Sequence, residues 1–197
     1  MNFLRQTLAA ALFGALSTLA GPATAEAPVC ALGEQALSAT EPPVERPHLF
    51  CGEVNRRDQG TGFHHRPGGE NPSTARFARI VERNPATGVY VAEGVEIFDG
   101  EGWRRKRHIS SFYPDACSPA DVLASIAHAA ANATCGYSNG KWRGPSAPGP
   151  DAPGYCLGDD GSVLTLEGYW RSERRRIVRT AWPLIDPKPS PAACRPR

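Results

Sequence analysis

The chain has 197 residues, of which 41% are hydrophobic and 21% are charged, and its formal net charge is +2. This near balance excludes a protein that binds a polyanion over its whole surface, so any basic site must be local. Arginines supply 19 of the 22 basic side chains, so a lysine beside a candidate site is notable.

The first 25 residues have the three parts of a secretory signal peptide in order. A short cationic start precedes an apolar run from Leu8 to Ala20, and Ala23-Thr24-Ala25 matches an A-x-A cleavage site. The run is too short to span a membrane, which takes about 18 or more apolar residues. We therefore expect residues 1–25 to be removed near Ala25 and the rest to be secreted or periplasmic, without a membrane anchor.

Residues 26–46 contain several prolines and no clear period, which predicts an extended arm held through Cys30. Residues 47–197 are long enough for a single domain with its own core. His48 precedes an apolar pair and is placed at the edge of a strand. Alternating or β-branched segments predict further strands over 76–81, 89–91, 95–98, 163–166 and 176–182.

The clearest helix start is Ser118-Pro119-Ala120-Asp121, with a capping serine, proline at the first helical position and a carboxylate in the first turn. Apolar residues then follow at helical spacing, and the helix is expected to end near Asn132. Residues 136–155 are rich in proline and glycine and predict a loop that is ordered at its ends only. Together these elements predict a strand-rich α+β domain.

An even number of cysteines in an exported chain predicts up to three disulfides. The six candidates are Cys30, Cys51, Cys117, Cys135, Cys156 and Cys194. Cys135 and Cys156 flank the Pro/Gly-rich stretch, so we expect them to pair across it, contributing about 3 kcal/mol on the chain-entropy model. The pairing of the other four stays open.

Two histidines and two basic segments could carry chemistry. His64 lies in a glycine-dense loop that lets the backbone approach a ligand, and histidine acts as both acid and base near neutral pH. The cations around Lys106, between Trp103 and Tyr113, form either a solvated edge strand or a phosphate-binding site with stacking faces nearby. A second arginine cluster runs from Arg171 to Thr180.

The motifs in these segments resemble those of the poly-U-specific endoribonuclease-like (EndoU) family. The segment from His48 to Glu53, followed by Gly62-Phe63-His64, resembles the family's paired-histidine motif. Lys106 followed by Ser110-Ser111-Phe112-Tyr113-Pro114 resembles its lysine–serine segment, close to the bacterial branch, and Arg179-Thr180-Ala181-Trp182-Pro183 resembles its closing Thr-x-Tyr-Pro strand. The resemblance implies an EndoU-like α+β fold of two antiparallel sheets with packed helices, stabilised here by disulfides.

The resemblance also implies a role for each matching residue. His64 would be the general base for the ribose 2′-OH, His48 the general acid for the 5′-oxygen, and Lys106 would stabilise the phosphorane. Ser110 and Thr180 would contact the base and favour uracil. Trp182 stands where relatives have tyrosine, so it keeps stacking but loses a hydrogen bond.

The neighbouring His65 occupies a position where relatives carry a small polar residue. It is counted among the substrate-binding candidates and could compete with His64 as the base. Cys51, inside the first motif, suggests a disulfide that braces the site.

The expected activity is therefore that of a secreted endoribonuclease, which cleaves single-stranded RNA at uridines and leaves a 2′,3′-cyclic phosphate. No metal site or cofactor is required, and stimulation by Mn²⁺ is left open. RNA is the expected partner of a monomer that does not contact membranes, and an immunity or inhibitor protein is considered as a second partner. The alternative is a non-catalytic, disulfide-rich module with the same fold that binds RNA or another polyanion.

Overall fold

A computed structural model describes residue 30, residues 36–186 and residues 194–196. Within this part of the chain the helices are α1 (Arg46–Phe50) and α2 (Pro119–Ala131), and a 3₁₀ turn spans Pro67–Gly69. The strands, in chain order, are β1 (Glu53–Val54), β2 (Gly60–Thr61), β3 (Ala75–Arg76), β4 (Arg79–Arg83), β5 (Tyr90–Glu93), β6 (Glu96–Phe98), β7 (Trp103–Arg105), β8 (Ser110–Phe112), β9 (Cys135–Gly136), β10 (Lys141–Pro145), β11 (Thr165–Ser172), β12 (Ile177–Pro183) and β13 (Arg195–Pro196).

All the strand pairs within the described sheets are antiparallel, which confirms the predicted α+β class. Where two sheets were expected, hydrogen bonding divides the strands among four. The largest has the order β12-β11-β10-β9-β13, and the others are β3-β6-β7, β4-β5-β8 and the pair β1-β2. None of the described helices is long and apolar enough to cross a membrane.

Helix α2 begins where the sequence predicts it. The backbone N–H of Asp121 donates to Oγ of Ser118 at 3.1 Å, and that hydroxyl donates to the Asp121 carboxylate at 2.7 Å. This pair satisfies orphan groups at the helix start, and Asn132 caps the other end as expected. The apolar face of the helix buries Val122 and Ile126 against the five-stranded sheet.

The sheet face that meets α2 is apolar. Trp142, Leu166 and Ala181 are buried there on three neighbouring strands, and Gly144 passes directly under the helix. A Cβ added at Gly144 would overlap the carbonyl oxygen of Ala129 in α2. Glycine therefore sets the close approach of the helix to the sheet.

A second, smaller core lies between the three-stranded sheets. Phe63, Tyr90, Ile97 and Phe112 are its largest fully buried members, and the rings of Tyr90 and Phe112 stack with centroids 5.0 Å apart. Phe63 anchors the segment that follows β2 in this core. The glycine loop is thus fixed between the two cores rather than free in solvent.

Several strand predictions are confirmed, and one is divided. The segments predicted at 89–91, 95–98, 163–166 and 176–182 correspond to β5, β6, the start of β11 and β12. The segment predicted over 76–81 is interrupted after Arg76, so its two parts, β3 and β4, belong to different sheets.

His48 lies in α1, so the predicted strand edge is wrong. Pro47 occupies the first turn, where its fixed φ favours a helix, and its carbonyl accepts the N–H of Cys51 at 2.9 Å.

The Pro/Gly-rich stretch over residues 136–155 is also more ordered than expected. Lys141–Pro145 forms a central strand because Trp142 alternates inward between two polar neighbours and is completely buried.

The six cysteines form three disulfides, Cys30–Cys51, Cys117–Cys156 and Cys135–Cys194. The expected Cys135–Cys156 pair is wrong. Cys135 lies on β9, which pairs with β13 and so lies next to Cys194, while the chain after β10 returns to the start of α2, where Cys117 lies.

The signal peptide predicted over residues 1–25 lies outside the described residues, as does most of the arm before residue 36. The disulfide to Cys51 holds Cys30. Where the rest of the arm is described, it folds back on itself through a bridge between Leu37 and Glu45, and Val44 bridges to Val178. The described end of the arm therefore pairs with β12.

Candidate active site

The two motif histidines are brought together by backbone hydrogen bonds between α1 and the glycine loop. The N–H of Phe63 donates to the carbonyl of His48, and that of His64 donates to the carbonyl of Leu49, both at 2.9 Å. These bonds occupy carbonyls that the end of a helix leaves unpaired. Gly62 has a φ of +75°, and a Cβ there would overlap the His48 carbonyl oxygen, so only glycine fits this crossing.

His48 is held by a carboxylate. Its Nδ1 lies 2.9 Å from Oε2 of Glu53, and the same oxygen accepts a hydrogen bond from Nη2 of Arg179 at 3.2 Å. Burial lowers the pKa of His48, the Glu53 carboxylate opposes this change, and the cations Arg179 and Lys106 lower the pKa further. His48 therefore has a counter-ion that favours its protonated form.

His64 has no such counter-ion within the described residues. Its Nδ1 donates to the carbonyl of Ser111 at 2.9 Å, which fixes that nitrogen as the protonated one in the neutral ring. Burial holds the pKa of His64 well below 6.5, and the charges of Lys106 and His48 lower it further, against the effect of the Ser111 carbonyl. His64 is therefore neutral over most of the working pH range, with Nε2 able to accept a proton.

Lys106 lies between the glycine loop and β8. Its Nζ donates to the carbonyl of Gly62 at 2.8 Å and to Oγ of Ser110 at 2.7 Å. The Ser110 hydroxyl is completely buried, donates to the carbonyl of Phe63 at 3.1 Å and lies 3.2 Å from Nδ1 of His64. Burial lowers the pKa of Lys106 to about 7. The lysine, the serine and the base candidate thus form one contiguous cluster.

Strand β12 contributes the remaining residues of the candidate site. The ring of Trp182 stacks on that of His64, with centroids 5.8 Å apart and planes 28° apart. Thr180 is 6% exposed, and its hydroxyl has no hydrogen-bond partner in the described part of the chain. A β-bulge leaves Arg179 unpaired on this strand, so Arg179 joins Thr180 on the site side and reaches Glu53.

A family model described as bacterial EndoU nuclease matches residues 44–185. The chain belongs to this family. The match covers more than half of the chain and includes both motif histidines, Lys106 and the whole of β12, so the resemblance carried by these motifs is confirmed. It also supports nuclease activity for this EndoU domain. Comparisons with curated proteins and with solved structures find no match.

The structure separates His65 from the rest of the EndoU site. Its ring is 0% exposed and packs edge-on against Phe50 at 5.7 Å and Tyr113 at 6.1 Å. Burial lowers its pKa to about 4, although Asp115 and the nearby backbone raise it. Consecutive side chains of this extended loop point in opposite directions, so His65 points into the core while His64 faces the site. His65 therefore has no exposed atom with which to contact a substrate or act as the base, contrary to expectation.

Two site residues were quoted in the motifs without a role. Glu53 holds His48, and Arg179 holds Glu53. A carboxylate five residues after a histidine, beyond the end of a short helix, is a weak sequence signal for Glu53. The arginine cluster before Thr180 includes Arg179 but does not single it out, because a bulge set by the pairing of β11 with β12 directs it to the site.

No group of three or more metal-ligating side chains that could hold an ion occurs among the residues described here. The EndoU site instead combines two histidines in different environments, a partly buried lysine and an unpartnered hydroxyl. This set of groups can accept a proton, donate a proton and stabilise negative charge at phosphorus.

Proposed function

We propose that the protein is an endoribonuclease that cleaves single-stranded RNA by intramolecular transesterification. The ribose 2′-OH would attack the adjacent phosphorus, the bond to the 5′-oxygen would break, and the products would be a 2′,3′-cyclic phosphate and a 5′-hydroxyl end. The observation that carries this proposal is the pair of buried histidines, each with Nδ1 held and each within reach of the charge of Lys106.

The two environments assign the two proton transfers. His64 is the more strongly biased towards its neutral form, so it takes the proton of the 2′-OH through Nε2. His48 keeps the Glu53 carboxylate as a counter-ion, so it carries the proton that the 5′-oxygen receives as it leaves. A pair of titratable groups whose surroundings push their pKa values apart is the arrangement that acid–base catalysis needs.

Lys106 supports the charge that develops on the non-bridging oxygens during the attack. Its ammonium group is already oriented by the Gly62 carbonyl and Ser110, so no reorganisation is needed at the moment of reaction. Ser110 also contacts Nδ1 of His64 and so keeps the cation and the base in register. The requirement for a 2′-OH restricts cleavage to RNA.

Recognition of the base is assigned to β12. The hydroxyl of Thr180 is buried and has no hydrogen-bond partner among the described residues, and we propose that a change of its rotamer lets it bond a polar edge of the base and, together with Ser110, favour uridine. Trp182 supplies a stacking face, which tolerates every base. Selectivity for uridine therefore depends mainly on the hydroxyl of Thr180.

We propose that the reaction takes place outside the cytoplasm. The predicted signal peptide supports this location, as do three disulfides, which persist in oxidising compartments. We propose catalysis by a monomer without an obligatory cofactor and leave stimulation by Mn²⁺ as a separate measurement. A protein inhibitor that protects the producing cell is a second partner to be sought.

The decisive experiment incubates the oxidised protein with a uridine-containing RNA and with a copy that has deoxyuridine at the cleaved position. We expect cleavage of the first only, with a 2′,3′-cyclic phosphate end, and a large loss of rate in His64→Ala and His48→Ala. His128→Ala is the matched control, because that ring lies on α2 beside Asn132 and Tyr155. No cleavage of either RNA, with or without Mn²⁺, would contradict the proposal and favour a non-catalytic RNA-binding module.

A further inference from the structure

The polar face of the five-stranded sheet continues beyond Trp182. Trp182 pairs in register with Glu167, and Thr180 pairs with Tyr169, so all four side chains lie on one face. The ring of Tyr169 contacts that of Trp182, with centroids 5.8 Å apart and planes 43° apart. Tyr169 is partly exposed, so the stacking surface that begins at the candidate active site extends onto β11.

The same face carries a cation and a third aromatic ring on the next two strands. Lys141, on β10, pairs in register with Tyr169 of β11. Its Nζ lies 4.1 Å from the ring centroid of Tyr137, which directly follows β9. Three strand spacings separate β12 from β9, a distance of about 14 Å. That is several times the rise of roughly 3.4 Å between stacked bases.

A buried carboxylate fixes these groups in place. Glu167 accepts hydrogen bonds from the hydroxyl of Tyr137 at 2.7 Å, from Nζ of Lys141 at 2.8 Å and from Nη2 of Arg143 at 2.9 Å. Burial raises the pKa of Glu167, but these bonds outweigh that effect and lower it. Lys141 is thereby held beside two partly exposed rings, those of Tyr137 and Tyr169.

We propose that Tyr169, Tyr137 and Lys141 form a binding strip for the nucleotides that flank the cleavage position in single-stranded RNA. This inference rests on the proposed function, since it places the reacting nucleotide at Thr180 and Trp182. A stacking face combined with positive charge along a groove is the arrangement that single-stranded nucleic acids require, and it needs no sequence preference. The strip makes the enzyme prefer long RNA to a dinucleotide.

The test measures binding and cleavage as a function of substrate length. Dissociation constants are measured for an octanucleotide and a dinucleotide, each with deoxyuridine at the cleaved position so that no reaction occurs. We expect Tyr169→Leu and Tyr137→Leu each to weaken octanucleotide binding by roughly 5- to 150-fold, the range for one lost stacking contact, and to leave the dinucleotide unchanged. Lys141→Gln is expected to reduce the salt dependence by about one phosphate contact.

Two variants separate recognition from folding. Tyr137→Phe keeps the ring but loses the bond to Glu167, so it is expected to retain octanucleotide binding. Tyr155→Leu removes a partly exposed tyrosine ring that contacts His128 of α2, away from the strip, and is expected to change neither constant. If the leucine variants weaken binding of the dinucleotide and the octanucleotide equally, or leave octanucleotide binding unchanged, the proposed binding strip is wrong.

The two proposals fail in different ways. Length-dependent binding without cleavage of the ribose substrates would overturn the endoribonuclease and keep the strip. Cleavage of dinucleotide and octanucleotide with the same kcat/KM would keep the endoribonuclease and overturn the strip.

Discussion

The two faces of the five-stranded sheet carry opposite chemistry although the same strands build them. On the face towards α2, Trp142, Leu166 and Ala181 are buried in an apolar core. On the other face, Trp182 stacks on His64, and Thr180 lies two residues before Trp182 on the same strand. Side chains alternate along a strand, so each strand contributes to stability on one side and to the site on the other.

The glycine loop repeats this division over two consecutive residues. His64 contacts Trp182 and Ser110, while His65 packs between Phe50 and Tyr113. Burial lowers the pKa of both rings, but only His64 lies beside the cation and hydroxyl that a reaction could use. A shifted pKa therefore marks a functional histidine only when its neighbours can take part in the chemistry.

The largest expected effect on activity comes from a substitution in the candidate active site. His64→Ala removes the proposed base, so kcat should fall by about 10²- to 10⁴-fold while unfolding stays cooperative. Rates on a uridine-containing RNA and a thermal melt check both parts. A variant that retains full activity would place the base elsewhere.

His65 should instead govern stability at acid pH. Its folded pKa of about 4 lies below the unfolded value of about 6.5, so the unfolded state binds the proton first as the pH falls. The stability tied to this ring is complete above pH 6.5 and decreases by about 3 kcal/mol at pH 4. Urea titrations of the wild type and His65→Leu at pH 7 and pH 4 should show a smaller acid loss in the variant; equal losses would contradict this assignment.

A substitution on the α2 side should damage the fold and spare the chemistry. Gly144→Ala forces a Cβ against the Ala129 carbonyl, and overpacking of this kind costs about 1–3 kcal/mol. The free energy of unfolding should decrease by that amount, with kcat of the folded fraction unchanged. Gly149→Ala is the control, because no atom lies within 4 Å of its added Cβ. Loss of kcat without loss of stability would show that the two faces are not independent.

The pH profile should sharpen the contrast between Lys106 and the histidines. With His64 as base and His48 as acid, kcat/KM should peak below pH 6.5 and then fall about tenfold per pH unit as His48 loses its proton. Above about pH 7 Lys106 also loses its charge, so the fall should steepen to about 100-fold per unit. Lys106→Arg stays charged, so kcat/KM of this variant should fall only about tenfold per pH unit above pH 7. A fall as steep as that of the wild type would show that deprotonation of Lys106 does not cause the second step.

Local sequence predicted those parts of the fold whose signals lie within a few residues. The Ser118 cap and the apolar spacing after it set the start and end of α2. β-branched and aromatic runs identified β5, β6 and β12. Lys141–Pro145 was missed because proline and glycine surround it, and its central place depends on β11, which follows about twenty residues later.

The sequence predicted which residues belong to the candidate site better than it predicted how they are arranged. The motif resemblance named His48, His64, Lys106 and Thr180; the structure brings the first three close together and puts Thr180 on the strand of Trp182, while their roles stay predictions. It also named His65, whose direction follows from the backbone path of the glycine loop.

The sequence by itself determined the periodic elements and the EndoU motifs, because each is encoded by neighbouring residues. Only the tertiary structure decided the disulfide partners and the contact between Glu53 and Arg179. The disulfide partners are 21 to 59 residues apart and Glu53 and Arg179 are 126 residues apart, so no local pattern specifies which distant segments meet.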